Sequence, residues 1–231
     1  MAAERNGRII GVLLFAHLLA GLIVPYVFLL PLTSPPAAFL EIASTMPLQI
    51  RLNVLLLFLG GVIPVAISLA VWPVVRKRDR LAGLSLLALS VVNFSLQLIE
   101  NGYWLTMLSV SQAYADAGAA EAATFQSVGI AIRSAFKWAH YSHILVVVGW
   151  LFAFYLLVFR CRLVPRVLVA TGVAASVIHF GGIILPAFAG YSLPFAAIFG
   201  IPLALAGALI AVWLIAKGFS TSSVSTNSQR P

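Results

Sequence analysis

Leu52–Arg80 reads LNVLLLFLGGVIPVAISLAVWPVVRKRDR. From Leu52 to Val75 no side chain is charged; Arg76, Lys77, Arg78 and Arg80 then fall within five residues. A helix needs about 20 apolar residues to cross the hydrocarbon core of a bilayer, roughly 30 Å. The stretch is predicted to be a transmembrane helix that ends in a tight basic turn. Working outward, apolar runs of similar length occur at Ile9–Pro31, Leu81–Val110, Phe136–Phe159, Pro165–Ala187 and Leu193–Ala216. Six spans are therefore expected. The first run is longer than the 7–15 residue apolar core of a secretion signal, and Pro35-Pro36 precede Ala37-Ala38, a poor cleavage site, so an uncleaved helix is expected there.

Composition agrees. The chain has 231 residues, of which 62% are hydrophobic and 9% charged, and its mean hydropathy is +1.07. Soluble domains are about 45–50% apolar and about 25% charged. So few charges cannot cover a water-exposed surface, which excludes a cytosolic enzyme, a nucleic-acid-binding domain and a disordered chain. A lone cysteine, Cys161, excludes an intramolecular disulfide. The expected fold class is all-α: a single six-helix transmembrane bundle over residues 1–219, followed by a disordered cytoplasmic tail over 220–231. Short helices are expected in the two long loops, Thr33–Ile50 and Ser111–Ala135.

The formal charge of +8 comes from 14 Lys and Arg against 6 Asp and Glu. With the N-terminus inside, eleven of the basic residues fall in cytoplasmic segments and three, Arg51, Arg133 and Lys137, fall outside. Cytoplasmic loops carry an excess of Lys and Arg, so both termini are expected to be cytoplasmic. Tyr26, Tyr103, Trp104, Trp138, Tyr141 and Tyr191 near the outer edge, and Trp72, Tyr155 and Trp213 near the inner one, fit aromatic belts. Gly60, Gly61 and Pro64, and Gly181, Gly182 and Pro186, are expected to kink their helices. Gly200, Ala204 and Ala208 form a small-residue stripe that lets helices approach closely.

Polar groups inside a membrane are costly and therefore functional suspects. The third span carries Asn93, Gln97, Glu100 and Asn101 on one helical face, extended by Trp104. The fourth carries Arg133, Lys137 and His140 on one face, with His143 a turn deeper. At about 1.5 Å per residue, Glu100, His140 and His143 come to matching heights in the outer third of the bilayer. Arg51 and Asn53 start the second span at the same level. These residues could form an outward-facing polar cavity for a small anionic ligand or a lipid headgroup. They could equally be structural, as interhelical hydrogen bonds with a Glu100–Lys137 ion pair.

Two enzyme readings stand beside this one. His143 and His179 differ by only about 4 Å in estimated height and could ligate haem as a bis-His pair. His140-x-x-His143 with Glu100 could hold a metal in an intramembrane lipid hydrolase, although a third strong ligand is not evident. A small transporter is a further alternative, disfavoured because the inner half of the spans offers little polarity beyond His17 and Ser68. No P-loop, G-x-S-x-G or H-E-x-x-H occurs. The expectation is a non-enzymatic binding or accessory protein with no cofactor, with the lipid bilayer as its partner and no nucleic acid.

Three further stretches carry a family likeness: Arg8-Ile9-Ile10-Gly11 opening the first span, Phe159-Arg160-Cys161-Arg162-Leu163-Val164-Pro165-Arg166 between the fourth and fifth, and Trp213-Leu214-Ile215-Ala216-Lys217-Gly218-Phe219 closing the last. They resemble the bacterial domain-of-unknown-function 4386 family of six-helix membrane proteins, over roughly Arg8 to Phe219. The resemblance implies a multi-pass protein of a bacterial cytoplasmic (inner) membrane. It brings no catalytic residues, since the family has no established activity.

Overall fold

The computed structural model describes residues 2–24, 36–117, 121–189 and 193–220. Among them are seven α-helices and no strand. They are α1 (Ala2–Ile23), α2 (Pro36–Thr45), α3 (Pro47–Val75), α4 (Arg80–Asp116), α5 (Ala122–Arg160), α6 (Arg166–Ala189) and α7 (Leu193–Lys217). All but α2 are long and apolar enough to cross a membrane. Their apolar surface is also turned outward: Leu52, Leu55 and Leu59 on α3 and Leu205, Leu209 and Val212 on α7 are each more than half exposed. Water does not tolerate continuous apolar exposure of that kind, whereas lipid does.

At the two basic turns and at the close of the last span, the expected span ends fall within one residue of the helix ends, because each is fixed by local chemistry. Asp79 caps α4, its Oδ1 accepting from the Ala82 amide at 3.1 Å. The end of α5 is a Schellman turn: Leu163 N–H donates to the Val158 carbonyl and Arg162 N–H to that of Phe159. Arg162 occupies the left-handed position at φ 54° that glycine usually takes. The end of α7 has the expected residue there: Gly218, at φ 69°, donates to the Leu214 carbonyl at 2.8 Å.

Two expectations change. α1 begins at Ala2 rather than Ile9; the remainder of the expected span, 25–31, lies outside the described residues. So do Tyr26, Tyr191 and the tail from 221 on. Among the described residues of the loop Ser111–Ala135, the helical ones do not stand apart as a short helix but extend α4 to Asp116 and begin α5 at Ala122. Its alanine-rich sequence favours helix, and continuing an existing helix avoids a second costly nucleation. In the other long loop a helix does form, α2, with Pro36 at its first position, where the missing N–H is no loss.

The chain divides into two compact units. The first comprises Met1–Leu18, Ile63–Asn93 and Ile144–Pro231. Its core holds Trp150 stacked on Phe154 and edge-on to His17, with Ile10, Leu14, Ile67 and Tyr155 fully buried. The Trp150 indole N–H donates to Ser68 Oγ at 3.1 Å, and Ser68 in turn donates to the Pro64 carbonyl. Close backbone approach needs glycine here. A Cβ on Gly7 would overlap the backbone nitrogen of Phe219, and one on Gly11 would stand 2.7 Å from that of Ile215. The Gly7-x-x-x-Gly11 spacing, unremarked in the sequence beside the α7 stripe, thus seats α1 against the end of α7. The second unit comprises Leu19–Val62 and Phe94–His143. Phe39, Leu40 and Ala43 of α2 pack there on Ile50 of α3 and Trp104, Met107 and Leu108 of α4. Ser111 Oγ anchors α2 through the Leu40 carbonyl.

Candidate polar site on the third, fourth and fifth helices

The site lies within the second unit. The face of α4 that carries Gln97, Glu100, Asn101 and Trp104 is buried, each residue at 6% exposure or less. Glu100 is its chemical centre. One carboxylate oxygen pairs with His140 Nδ1 at 3.0 Å, and the other with His143 Nδ1 at 2.7 Å. The 3-residue spacing on α5 turns both rings toward α4, so a single carboxylate spans them. Two protons are shared over these two bonds, and both Nδ1 atoms are committed to Glu100. His143 is buried, whereas a third of the His140 side chain is exposed. Phe136, one turn before His140, stacks on its ring at 5.7 Å, and Trp104 meets Phe136 edge-on at 5.0 Å. The His140 ring is thereby held in one orientation.

Toward α3, Gln97 Nε2 donates to Asn101 Oδ1 at 3.0 Å, and Asn101 Nδ2 makes a longer contact, 3.4 Å, to the Val54 carbonyl. Gln97 lies over Gly61, where a Cβ would come within 3.0 Å of its Cγ. Among the described residues, two buried donors of this site have no acceptor: Nδ2 of Asn53, 2% exposed, and Nε1 of Trp104, 3% exposed. Buried N–H groups in native proteins almost always find a partner, and leaving one unpaired costs about 1–3 kcal/mol.

The sequence placed Glu100, His140, His143, Gln97 and Asn101 together, and the structure does the same. It does not bring the cations to Glu100. The Glu100–Lys137 ion pair of the structural alternative is not formed; the two carboxylate oxygens pair with the histidines. Lys137 is exposed, its Nζ 5.7 Å from the Trp138 ring and 5.9 Å from that of Tyr141. This suits a strongly hydrated ammonium on a flexible stem. Arg51 is exposed. Arg133 is half-buried and lines a small, largely apolar pocket with Phe39, Leu40, Met107, Val110 and Ile132. His179 belongs to the first unit, its ring against Gly200, and His143 to the second. Among the described residues, no three His, Cys, Asp or Glu side chains are arranged to hold a metal ion.

Sequence reasoning did not foresee two features. One is the aromatic brace of Trp104 and Phe136, for which the four-residue step from Phe136 to His140 was the available signal. The other is the Arg133 pocket, which needs α2 and carries no sequence signal.

Six helices long and apolar enough to span a bilayer, with no strand among the described residues, define a class, that of the multi-pass membrane proteins. Within it the chain belongs to the family described as Domain of unknown function (DUF4386), whose model matches residues 9–218. No curated protein and no solved structure matches the chain.

Proposed function

We propose that this is a non-enzymatic binding or accessory protein of the bacterial cytoplasmic membrane, with both termini cytoplasmic. Its site, built from Asn53, Gln97, Glu100, Asn101, Trp104, His140 and His143, opens outward and takes a lipid headgroup or another small anionic ligand. The observation that carries the reading is the pair of buried donors without acceptors, Asn53 Nδ2 and Trp104 Nε1. A phosphate or ester oxygen supplies what both lack. Recognition then rests on buried N–H groups. Arg51, Arg133 and Lys137 act at the rim, as long-range attraction for an anion.

The orientation is supported by the basic residues at the start of α1, the α3–α4 and α5–α6 turns and the end of α7. Titrating the purified protein with a short-chain phospholipid, followed by tryptophan fluorescence, tests the proposal. Saturable binding that weakens in Asn53→Leu supports it. Binding that is absent, or unchanged in that variant and in Arg133→Ala, overturns it.

A further inference from the structure

The formal charge is not spread over the molecule. Among the described residues, the first unit holds ten Lys and Arg against Glu4 and Asp79, while the second holds three against four acids. Both acids of the first unit are already engaged, Glu4 by Arg8 at 2.8 Å and Asp79 by Arg160 at 3.1 Å. Most of the remaining cations are displayed on segments that are stapled together. Arg78 Nη1 donates to the Cys161 carbonyl at 2.7 Å, which ties the α3–α4 turn to the α5–α6 turn. Ser220 N–H donates to the Leu163 carbonyl at 2.9 Å, which ties the end of α7 to the same turn. Arg76, Lys77, Arg80, Arg162, Arg166 and Lys217 are all exposed on this frame.

Two details speak for the cations themselves. Arg162 sits in the left-handed conformation, which costs an L-residue roughly 1–2 kcal/mol and glycine nothing. A guanidinium thus stands at a position where backbone energetics favour glycine. In addition, the guanidinium of Arg166 lies 5.4 Å from the Phe159 ring, which orients it at the end of α5. Every one of these residues flanks a helix able to span a bilayer, and so lies at headgroup depth.

We infer that this end of the first unit is a binding site for the phosphodiester headgroup of an anionic phospholipid. The frame fixes the turns, and the exposed guanidinium and ammonium groups supply donors and charge that no protein acid neutralises. Juxtamembrane cations each add about fivefold in affinity for an anionic surface. The site uses none of the α4–α5 polar residues, so it stands or falls independently of the function proposed above.

The test uses the full chain in nanodiscs containing phosphatidylglycerol or phosphatidylcholine, with bound lipid counted by native mass spectrometry. The wild type should retain phosphatidylglycerol in preference to phosphatidylcholine. The combined variant Arg76→Gln, Lys77→Gln, Arg162→Gly should lose about 100-fold in that preference. It should still fold, because Arg162→Gly relieves the backbone. The charge-conserving pair Arg76→Lys, Arg162→Lys should retain the preference. Equal retention of the two lipids by the wild type, or an undiminished preference in the neutralised variant, overturns the assignment. Displacement of the lipid by inorganic phosphate alone also overturns it, since free phosphate would then be the ligand.

Discussion

Glu100 is the residue on which the site turns, and its replacement separates structure from coincidence. Glu100→Leu removes both acceptors and leaves two imidazole N–H groups, one of them buried, without partners. Interhelical hydrogen bonds in membranes average about 0.6 kcal/mol and reach about 1.7 kcal/mol. Bonds to a carboxylate belong near the upper end. Two of them, the His140 bond discounted for its partial exposure, amount to about 2–3 kcal/mol. Glu100→Gln keeps the shape. Its amide offers one acceptor and one donor, so one histidine must move its proton to Nε2 while the other keeps it on Nδ1. Both bonds then survive in neutral form, and the loss falls to about 1–2 kcal/mol. Unfolding by sodium dodecyl sulfate in mixed micelles, followed by near-ultraviolet circular dichroism, should rank wild type above Glu100→Gln and Glu100→Gln above Glu100→Leu. Adding His140→Phe and His143→Phe to Glu100→Leu should recover part of the loss, because no donor remains orphaned. The reasoning fails if Glu100→Leu is as stable as the wild type, or if Glu100→Gln is the weaker of the two.

Other perturbations probe the frame around the site. Gly7→Ala and Gly11→Ala should each destabilise by about 1–3 kcal/mol, since backbone atoms of α7 and the segment after it occupy the space; Gly102→Ala, with nothing within 4 Å, should be neutral or stabilising by up to about 1 kcal/mol in the same unfolding assay. Arg162→Gly alone should raise stability by about 1 kcal/mol by removing the left-handed penalty. Ser68→Ala leaves the buried Trp150 indole N–H without its acceptor and should cost about 1–2 kcal/mol, with Trp150→Phe, Ser68→Ala recovering part of it. Burial holds the Cys161 thiol above its ordinary pKa; Asp79 reinforces the shift, and Arg78 and Arg160 oppose it. Maleimide labelling should therefore be slow near neutral pH and rise only in the alkaline range. Because the folded value lies above the unfolded one, the group's contribution to stability is complete below the unfolded value. It is lost as pH climbs through the folded value.

Much of this was legible in the chain. An uninterrupted apolar run such as Leu52–Val75 has one stable form in lipid, and basic turns at Arg76–Arg80 and Arg160–Arg166 mark where it must stop. The stripe Gln97–Glu100–Asn101 and the pair His140/His143 follow from helical spacing alone, and equal distance from the turns put them at one height. Partner choice within the stripe was not legible. Glu100 could meet Lys137 or the histidines at the same level, and only side-chain length and ring orientation, set by Phe136 and Trp104, decide between them. Nor could spacing show that Asn53 and Trp104 keep unpaired donors, because that depends on what neighbouring helices fail to provide. The close approach of α1 to α7 and the residues after it, at Gly7 and Gly11, is likewise a property of packing.

Native mass spectrometry of the gently purified protein addresses the binding site most directly. Measured in the background of Arg76→Gln, Lys77→Gln, Arg162→Gly, which removes lipid held by the basic turns, the expected result is a retained phospholipid or small anionic molecule that is lost on adding Asn53→Leu or Trp104→Phe. A spectrum of that background free of any bound species, or one whose bound species persists unchanged in both variants, would contradict it.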